Sequence, residues 1–440
     1  MQITLKNVGY IKEANVGLTG LNVIAGPNGT GKSTVGKTVY TIIKSISERN
    51  TIVKEHRINI IKGLCSSIFY AIQNNLNIKK LDPSEDSYKD LRTLMDNFNY
   101  RPFAVTLLKC LDTNSIVSFN EAKDMIVHNI SLVESMKSLD NRSKLSVKRL
   151  LNDLLSIFVE ISDNDAIKKS LEYMYQEIFR EQINNINTHE TSEVVFENNG
   201  YTLEYKVSNN AEVLPFSERL KIVNIDSLLK ESIFPRVTFI ETPLVLQVAG
   251  CSGLPLYWSD LISKVQLDIN TANSGINKWV YDEISNILDG ELIHIPEKQE
   301  FYFVPKGTDN KIYVNNMASG EKLFGILQRL AKMGLLSSDH LLIFDEPENH
   351  LHPQWQVKLA EILVSLVENN VSILLTTHSS TLISALRQFA RAKDVVQKTK
   401  FCFANPMDKK IKNVKSLDSK GEDVIYKSFY DSKEYLPKFE

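Results

Sequence analysis

Short apolar alternations open the chain. Ile3 and Leu5 alternate with polar neighbours, as do Ala14, Val16 and Leu18, and Leu21, Val23 and Ile24 run straight into Gly26. This spacing predicts a strand meander. The period then changes: Val35, Val39, Ile42, Ile43 and Ile46 share one face of a helix that follows Lys32. From about 50 to 190 the pattern is mostly helical. One stripe holds Leu150, Leu151, Leu154, Leu155, Phe158 and Val159, and another holds Ile167, Leu171, Met174 and Ile178. No heptad repeat is sustained long enough for a coiled-coil rod, so this stretch reads as a compact helical insertion. Strand patterns return at 193–206, where Asn-Asn-Gly marks a hairpin turn, and at 237–243. A helical piece follows at about 256–290, then strands near 292–304 and 311–314.

The last third alternates helix and strand. A helix runs from Gly320 to about Leu336, and LLIFDEP follows as a buried strand. A helix opens at Pro353, where proline suits the first turn. Then come the strand VSILLTTH, a helix over Thr381–Arg391 and the strand KFCFA. Such alternation predicts an α/β fold with a parallel sheet and helices on its faces.

Composition changes the picture little. The chain has 440 residues, 43% hydrophobic and 24% charged, which suits two or three structural units. A net charge of −2 excludes a polycation that coats nucleic acid, so such contact needs a local patch. No run reaches the 18 or so apolar residues of a membrane span, and no signal peptide is expected, since residues 1–26 read as strands and loop. Cys65, Cys110, Cys251 and Cys402 lie far apart, as expected of reduced cytosolic thiols. A cytoplasmic protein without a membrane partner is the expectation.

Candidate chemistry concentrates at four places. Gly26, Pro27, Asn28, Gly29, Thr30, Gly31, Lys32 and Ser33 satisfy G-x-x-x-x-G-K-[ST] between a strand and a helix, and Thr34 follows as a further candidate. The glycines let main-chain N–H groups cradle phosphates, Lys32 adds charge at the β/γ-phosphates, and the Ser33 hydroxyl suits Mg²⁺. The run LLIFDE ends a buried strand in Asp345, placed for Mg²⁺, and Glu346, placed to deprotonate an attacking water. A second strand ends at His378, whose neutral imidazole can bond a γ-phosphate or the water. In ASGEK, Ser319 is read as a helix N-cap, with Gly320 and Glu321 behind it and an exposed N–H for a weak anion site.

This set resembles an ATPase of the ABC superfamily, in the branch with SMC, RecF and the overcoming-lysogenization-defect proteins. GPNGTGKST is similar to Walker A, ASGEK to the signature, LLIFDEPENHLHP to Walker B with D-loop, and TTHSS to the histidine switch. The resemblance implies a head with a parallel core sheet, an antiparallel N-terminal sheet and helical insertions. It implies ATP and Mg²⁺ as ligands and hydrolysis of ATP to ADP and phosphate. Two heads would face each other as a dimer or higher homo-oligomer. Lys32, Ser33, Asp345, Glu346 and His378 would act in cis, and Ser319, Gly320 and Glu321 on the partner's γ-phosphate. His350 and His352 fall in the D-loop, where His352 replaces the acidic residue of many transporters. Gln247 is the Q-loop candidate, with Glu241 behind it, and Tyr10 the candidate for stacking on adenine.

The implied units are 1–50 (half head with Walker A), 51–190 (helical insertion), 191–255 (remaining strands and Q-loop), 256–310 (helical lobe) and 311–440 (second half head). Two roles are open. One is the sensor or scaffold ATPase of an anti-phage defence system with a separate effector, a nuclease or toxin, since no nuclease motif follows residue 391. The other is a RecF-like or SMC-like repair or chromosome ATPase that binds DNA directly. For that second role the candidate contacts are Arg142, Lys144, Lys148 and Arg149, and the basic stretch 391–415.

Overall fold

The computed structural model describes residues 1–75, 102–113, 116–136, 139–185, 187–188, 190–210, 214–225, 235–267 and 275–413. The chain divides into two compact units, Glu48–Ser170 on its own, and Met1–Ser47 with Leu171–Glu440.

The Glu48–Ser170 unit is helical, with helices Arg49–Asn75, Pro102–Thr113, Ile116–Ser135 and Asn141–Leu155. Ile61, Ile68, Leu107, Ala122, Ile126, Val147, Leu151, Leu154 and Phe158 form its core. Asp140 caps the last of these helices by accepting from the Ser143 N–H at 2.7 Å. That helix stops at Leu155, so the expected stripe is broken there: Phe158 is buried from outside the helix and Val159 is exposed. The unit ends at Ser170 rather than 190. Residues beyond it belong with the sheet, where the Tyr175 hydroxyl meets that of Tyr205 in a buried hydrogen bond.

The other unit is built on one 11-stranded sheet. Its strands are β1 (Gln2–Val8), β2 (Ile11–Gly17), β3 (Leu21–Ala25), β4 (Ser192–Asn198), β5 (Tyr201–Val207), β6 (Leu220–Ile225) and β7 (Arg236–Ile240). Three further strands, β8 (Gly290–Ile295), β9 (Glu300–Pro305) and β10 (Ile312–Tyr313), form a separate antiparallel sheet. The large sheet is completed by β11 (His340–Asp345), β12 (Ser372–Thr377), β13 (Thr399–Ala404) and β14 (Lys410–Asn413). Its order is β6-β5-β4-β1-β2-β14-β13-β3-β12-β11-β7.

The strands β6 through β2 pair antiparallel, whereas β13, β3, β12, β11 and β7 are all parallel neighbours. The parallel core and antiparallel wing match the expected architecture, with one correction. β1 and β2 pair as a hairpin, but β3 does not continue the meander, because β14 and β13 lie between β2 and β3. The reason is burial. Every residue of β3 is buried, whereas β2 alternates, so β3 needs a position covered on both faces. The Asn199–Gly200 turn joins β4 to β5 with φ of +48° and +85°, the two left-handed residues of a tight hairpin.

Helices Lys32–Ser47, Ser319–Lys332, Pro353–Glu368 and Ser380–Ala392 belong to this unit. Leu323, Phe324, Leu327, Leu359, Leu363 and Leu386 pack in one core with Val23, Leu342, Phe344 and Leu375 of the strands. Gln328, fully buried, accepts from the Leu292 N–H at 2.8 Å and donates to the Gly290 carbonyl at 3.0 Å, so a polar group in the core ties β8 to its helix. No helix among the described residues is long and apolar enough to cross a membrane.

Candidate active site

Parallel register brings the chemistry to one edge. Thr376 lies opposite Asp345, and Thr377 opposite Ala25, so β3, β11 and β12 end together. Apart from the buried Asn22 of β3, polar side chains are absent from the middle of these strands' apolar runs and collect where the runs end, as is usual at the carboxyl edge of a parallel sheet.

After β3 the chain turns at Gly26, whose N–H donates to the Thr377 carbonyl at 3.2 Å. A Cβ on Gly26 would stand 2.7 Å from the Ala404 carbonyl oxygen, so β13 packs too closely for any other residue. Gly31 has φ of +88°, and a Cβ there would strike Ile11 at 2.7 Å. Lys32 is 3% exposed. Its Nζ donates to the Gly26 and Pro27 carbonyls, each at 2.9 Å, and pairs with Glu346 Oε1 at 2.9 Å. The loop is thus wrapped around its own lysine.

β11 delivers Asp345 and then Glu346. Asp345 Oδ1 accepts from the Thr376 hydroxyl at 2.5 Å, and Ser33 lies close enough to the carboxylate to favour its charged form. Burial pushes the Asp345 carboxyl above its ordinary value, against both of these neighbours. Glu346 takes a left-handed conformation, φ +49° and ψ +53°, a strain of about 1 kcal/mol for a residue other than glycine. Its N–H donates to the Thr376 carbonyl at 3.1 Å, and its Oε2 accepts from Asn349 Nδ2 at 3.2 Å. Burial opposes its ionisation, yet the hydrogen bond and charge of Lys32 outweigh this and hold the carboxyl below its ordinary value.

β12 delivers His378. Its Nδ1 lies 3.5 Å from Glu346 Oε2 and 3.3 Å from Glu348 Oε1. Ser379 caps the next helix by accepting from the Leu382 N–H at 3.2 Å, and its hydroxyl donates to Gln356 at 2.6 Å. Pro27, Asn28, Glu348, Asn349, His378 and Ser379 line an open cleft of about 650 Å³.

Lys32, Ser33, Asp345, Glu346 and His378 are therefore brought together. The other expected positions are not. Ser319, Gly320 and Glu321 make no hydrogen bond or ion pair to the Gly26–Thr34 loop among the described residues. Ala318, not Ser319, is the N-cap, and Glu321 reaches back to accept the Ala318 N–H at 2.8 Å. The glutamate one turn in satisfies the N-cap's own N–H, and no side chain caps the helix from Ala318. Gln247 lies half-buried in the short helix Pro243–Val248. Glu241, directly after β7, stands nearer the loop's helix: it pairs with Lys37 at 2.8 Å and accepts from Trp258 Nε1 at 2.9 Å. His352 caps the Pro353–Glu368 helix, its Nδ1 accepting from the Gln354 N–H at 3.4 Å. His350 closes the Pro347–His350 turn, and its side chain lies outside the described residues. Tyr10 is exposed in the β1–β2 turn, between Gly9, which abuts Thr34, and Ile11, which abuts Gly31.

Sequence reading missed Thr376, Lys37 and Glu348. Thr376 and Glu348 stand inside the motifs, but nothing in a linear pattern says which way such side chains turn.

A strand–loop–helix with a buried lysine, facing an acidic strand end, defines a phosphate-binding-loop ATPase fold. Residues 1–383 match the family described as AAA ATPase domain, and the chain belongs to it. The fold is also similar to solved SMC heads. One, bound to the C-winged helix domain of ScpA, has 11% identity and a TM-score of 0.40, with 96% of this chain and 98% of that chain covered. Another, the SMC head domain from Thermotoga maritima, has 11% identity and a TM-score of 0.35 over 94% and 97%. A third, from Pyrococcus furiosus with an extended coiled coil and the C-terminal domain of ScpA, has 11% identity and a TM-score of 0.31 over 97% and 98%. Likeness this loose carries neither partner nor activity. No curated protein matches the chain.

Proposed function

We infer that this protein binds ATP with Mg²⁺ and hydrolyses it to ADP and phosphate at the edge formed by β3, β11 and β12. The observation that carries this reading is the contact of Lys32 with Glu346 at 2.9 Å, with His378 on the other side of the same carboxylate. The hydroxyl of Ser33 and the carboxylate of Asp345 are neighbouring hard oxygen donors, a fit for Mg²⁺, which would neutralise phosphate charge there. Lys32 exchanges loop carbonyls and Glu346 for β- and γ-phosphate oxygens. Glu346, kept ionised by Lys32, is thereby released to take a proton from the attacking water. His378 meets the γ-phosphate.

Ser319, Gly320 and Glu321 have no bonds to the loop of their own chain among the described residues, which supports their acting on a second head in a head-to-head dimer. The DEPENHLHPQWQ phrase supports the RecF-like and defence-associated branch over a transporter subunit, and the lack of a nuclease motif after residue 391 favours a defence ATPase that works with a separate effector. Direct DNA binding is the weaker reading. Lys144, Lys148, Lys393, Lys398 and Lys410 are each held by an acceptor on the protein, and Lys415 lies outside the described residues.

The test is Glu346→Gln. ATP should bind with unchanged affinity while phosphate release falls about 1,000-fold, and heads should accumulate as an ATP-bound dimer in light scattering. Wild-type turnover would remove Glu346 from the base role. Purifying that variant from its host should bring down a stoichiometric protein partner; DNA alone would favour the repair role.

A further inference from the structure

Glu348 takes no part in the hydrolysis proposed for Glu346, and its own role rests on that ATPase reading. It sits on the turn Pro347–His350 that directly follows Glu346, and only 5% of it is exposed. A buried carboxylate is costly without donors. Two aligned donors reach it, both from the end of β12 and both to Oε1: the Thr377 hydroxyl and the main-chain N–H of His378, each at 2.6 Å. The imidazole Nδ1 of the same histidine is 3.3 Å from that oxygen, at ion-pairing distance though not aligned as a hydrogen bond. Oε2 is buried and has no hydrogen-bond partner among the described residues.

We propose that Glu348 is a positioning residue for His378. Its hydrogen bond to the main chain fixes where the histidine leaves the strand. Its negative charge beside Nδ1 selects that nitrogen as the protonated one, leaving Nε2 as the acceptor toward the attacking water at the γ-phosphate. A carboxylate set behind an imidazole acts this way wherever the ring must present one chosen nitrogen. Because Glu346 and Glu348 share one turn, a shift of that turn moves the water-activating carboxylate and the phosphate-facing imidazole together.

Glu348→Gln separates positioning from packing, since the amide keeps an oxygen acceptor for both aligned donors but loses the charge. A merely structural acceptor would leave turnover at the wild-type level. The proposal expects kcat to fall about tenfold with KM for ATP unchanged. It also expects the double variant Glu348→Gln/His378→Gln to be no slower than His378→Gln alone. Wild-type kcat in Glu348→Gln, or additive losses in the double variant, would overturn it. A second measurement needs neither a folded variant of Glu348 nor turnover. NMR of the histidine ring nitrogens in the wild-type protein, with the His378 signal assigned by its loss in His378→Gln, should show a proton on Nδ1. A neutral ring protonated only on Nε2 overturns the proposal. A wild-type protein without ATP hydrolysis would defeat the ATPase reading instead, and the ring signal would still decide the role of Glu348.

Discussion

The two halves of the large sheet obey different rules. In the antiparallel wing the residues alternate: β1 buries Ile3, Leu5 and Val8 and leaves Gln2 and Lys6 exposed. In the parallel half all residues of β3, β11 and β12 are buried. A strand covered on both faces has no lateral surface on which to present a reactive side chain, so its polar groups collect at its ends. The wing keeps a free face along its length, yet the one candidate it supplies, Tyr10, stands at a turn. Covering both faces of a sheet is thus what concentrates chemistry at an edge.

Four substitutions bear on that contrast. The largest effect is expected at the edge itself. Lys32→Ala removes the cation that three oxygens surround and leaves Glu346 half-buried without its partner. ATP affinity should fall about 1,000-fold or more by calorimetry; wild-type affinity would sink the site assignment. Next comes the interior of the two halves. Phe344 on β11 is fully buried, and Phe344→Ala should cost about 3–5 kcal/mol in urea unfolding. Val195 on β4 is only half-buried, and Val195→Ala should cost about 1 kcal/mol or less. Equal costs would erase the distinction between the halves.

The last effect depends on pH and concerns the opposite end of β11. His340 is buried there, bonded through Nε2 to the Thr238 hydroxyl at 2.7 Å. Burial, helped by nearby Lys264 and Arg236, holds its imidazole down to about 3. The unfolded chain takes up a proton near the ordinary 6.5 and the folded chain does not. The stability this group contributes is therefore complete above that pH and is lost as pH falls toward about 3. The expected slope is about 1.4 kcal/mol per pH unit. His340→Asn should flatten the acid limb of stability by about that slope; an unchanged limb would mean the ring is protonated in the folded protein.

Much of the site was legible in the sequence. The phosphate loop could be read because its glycines answer a local need, a left-handed turn and room for a neighbouring backbone. The strands ending at Asp345 and His378 were legible because burial on both faces writes a continuous apolar run. The order of β3 was not, because pairing between strands hundreds of residues apart leaves no mark in local periodicity. Nor was the cap of the Ser319–Lys332 helix, where Ala318 holds the N-cap position and Glu321 reaches back to its N–H.

The sequence by itself determined the local pattern: which glycine turn has the form of a phosphate loop, and which apolar runs end in Asp345, Glu346 and His378. Only the tertiary structure decided what those groups touch. Register placed Thr376 on Asp345, the turn after β11 set Glu346 against Lys32, and Glu348 was folded under His378. Spacing along a chain constrains neighbours a few residues apart, whereas an ion pair joins residues that only packing brings within 3 Å or so.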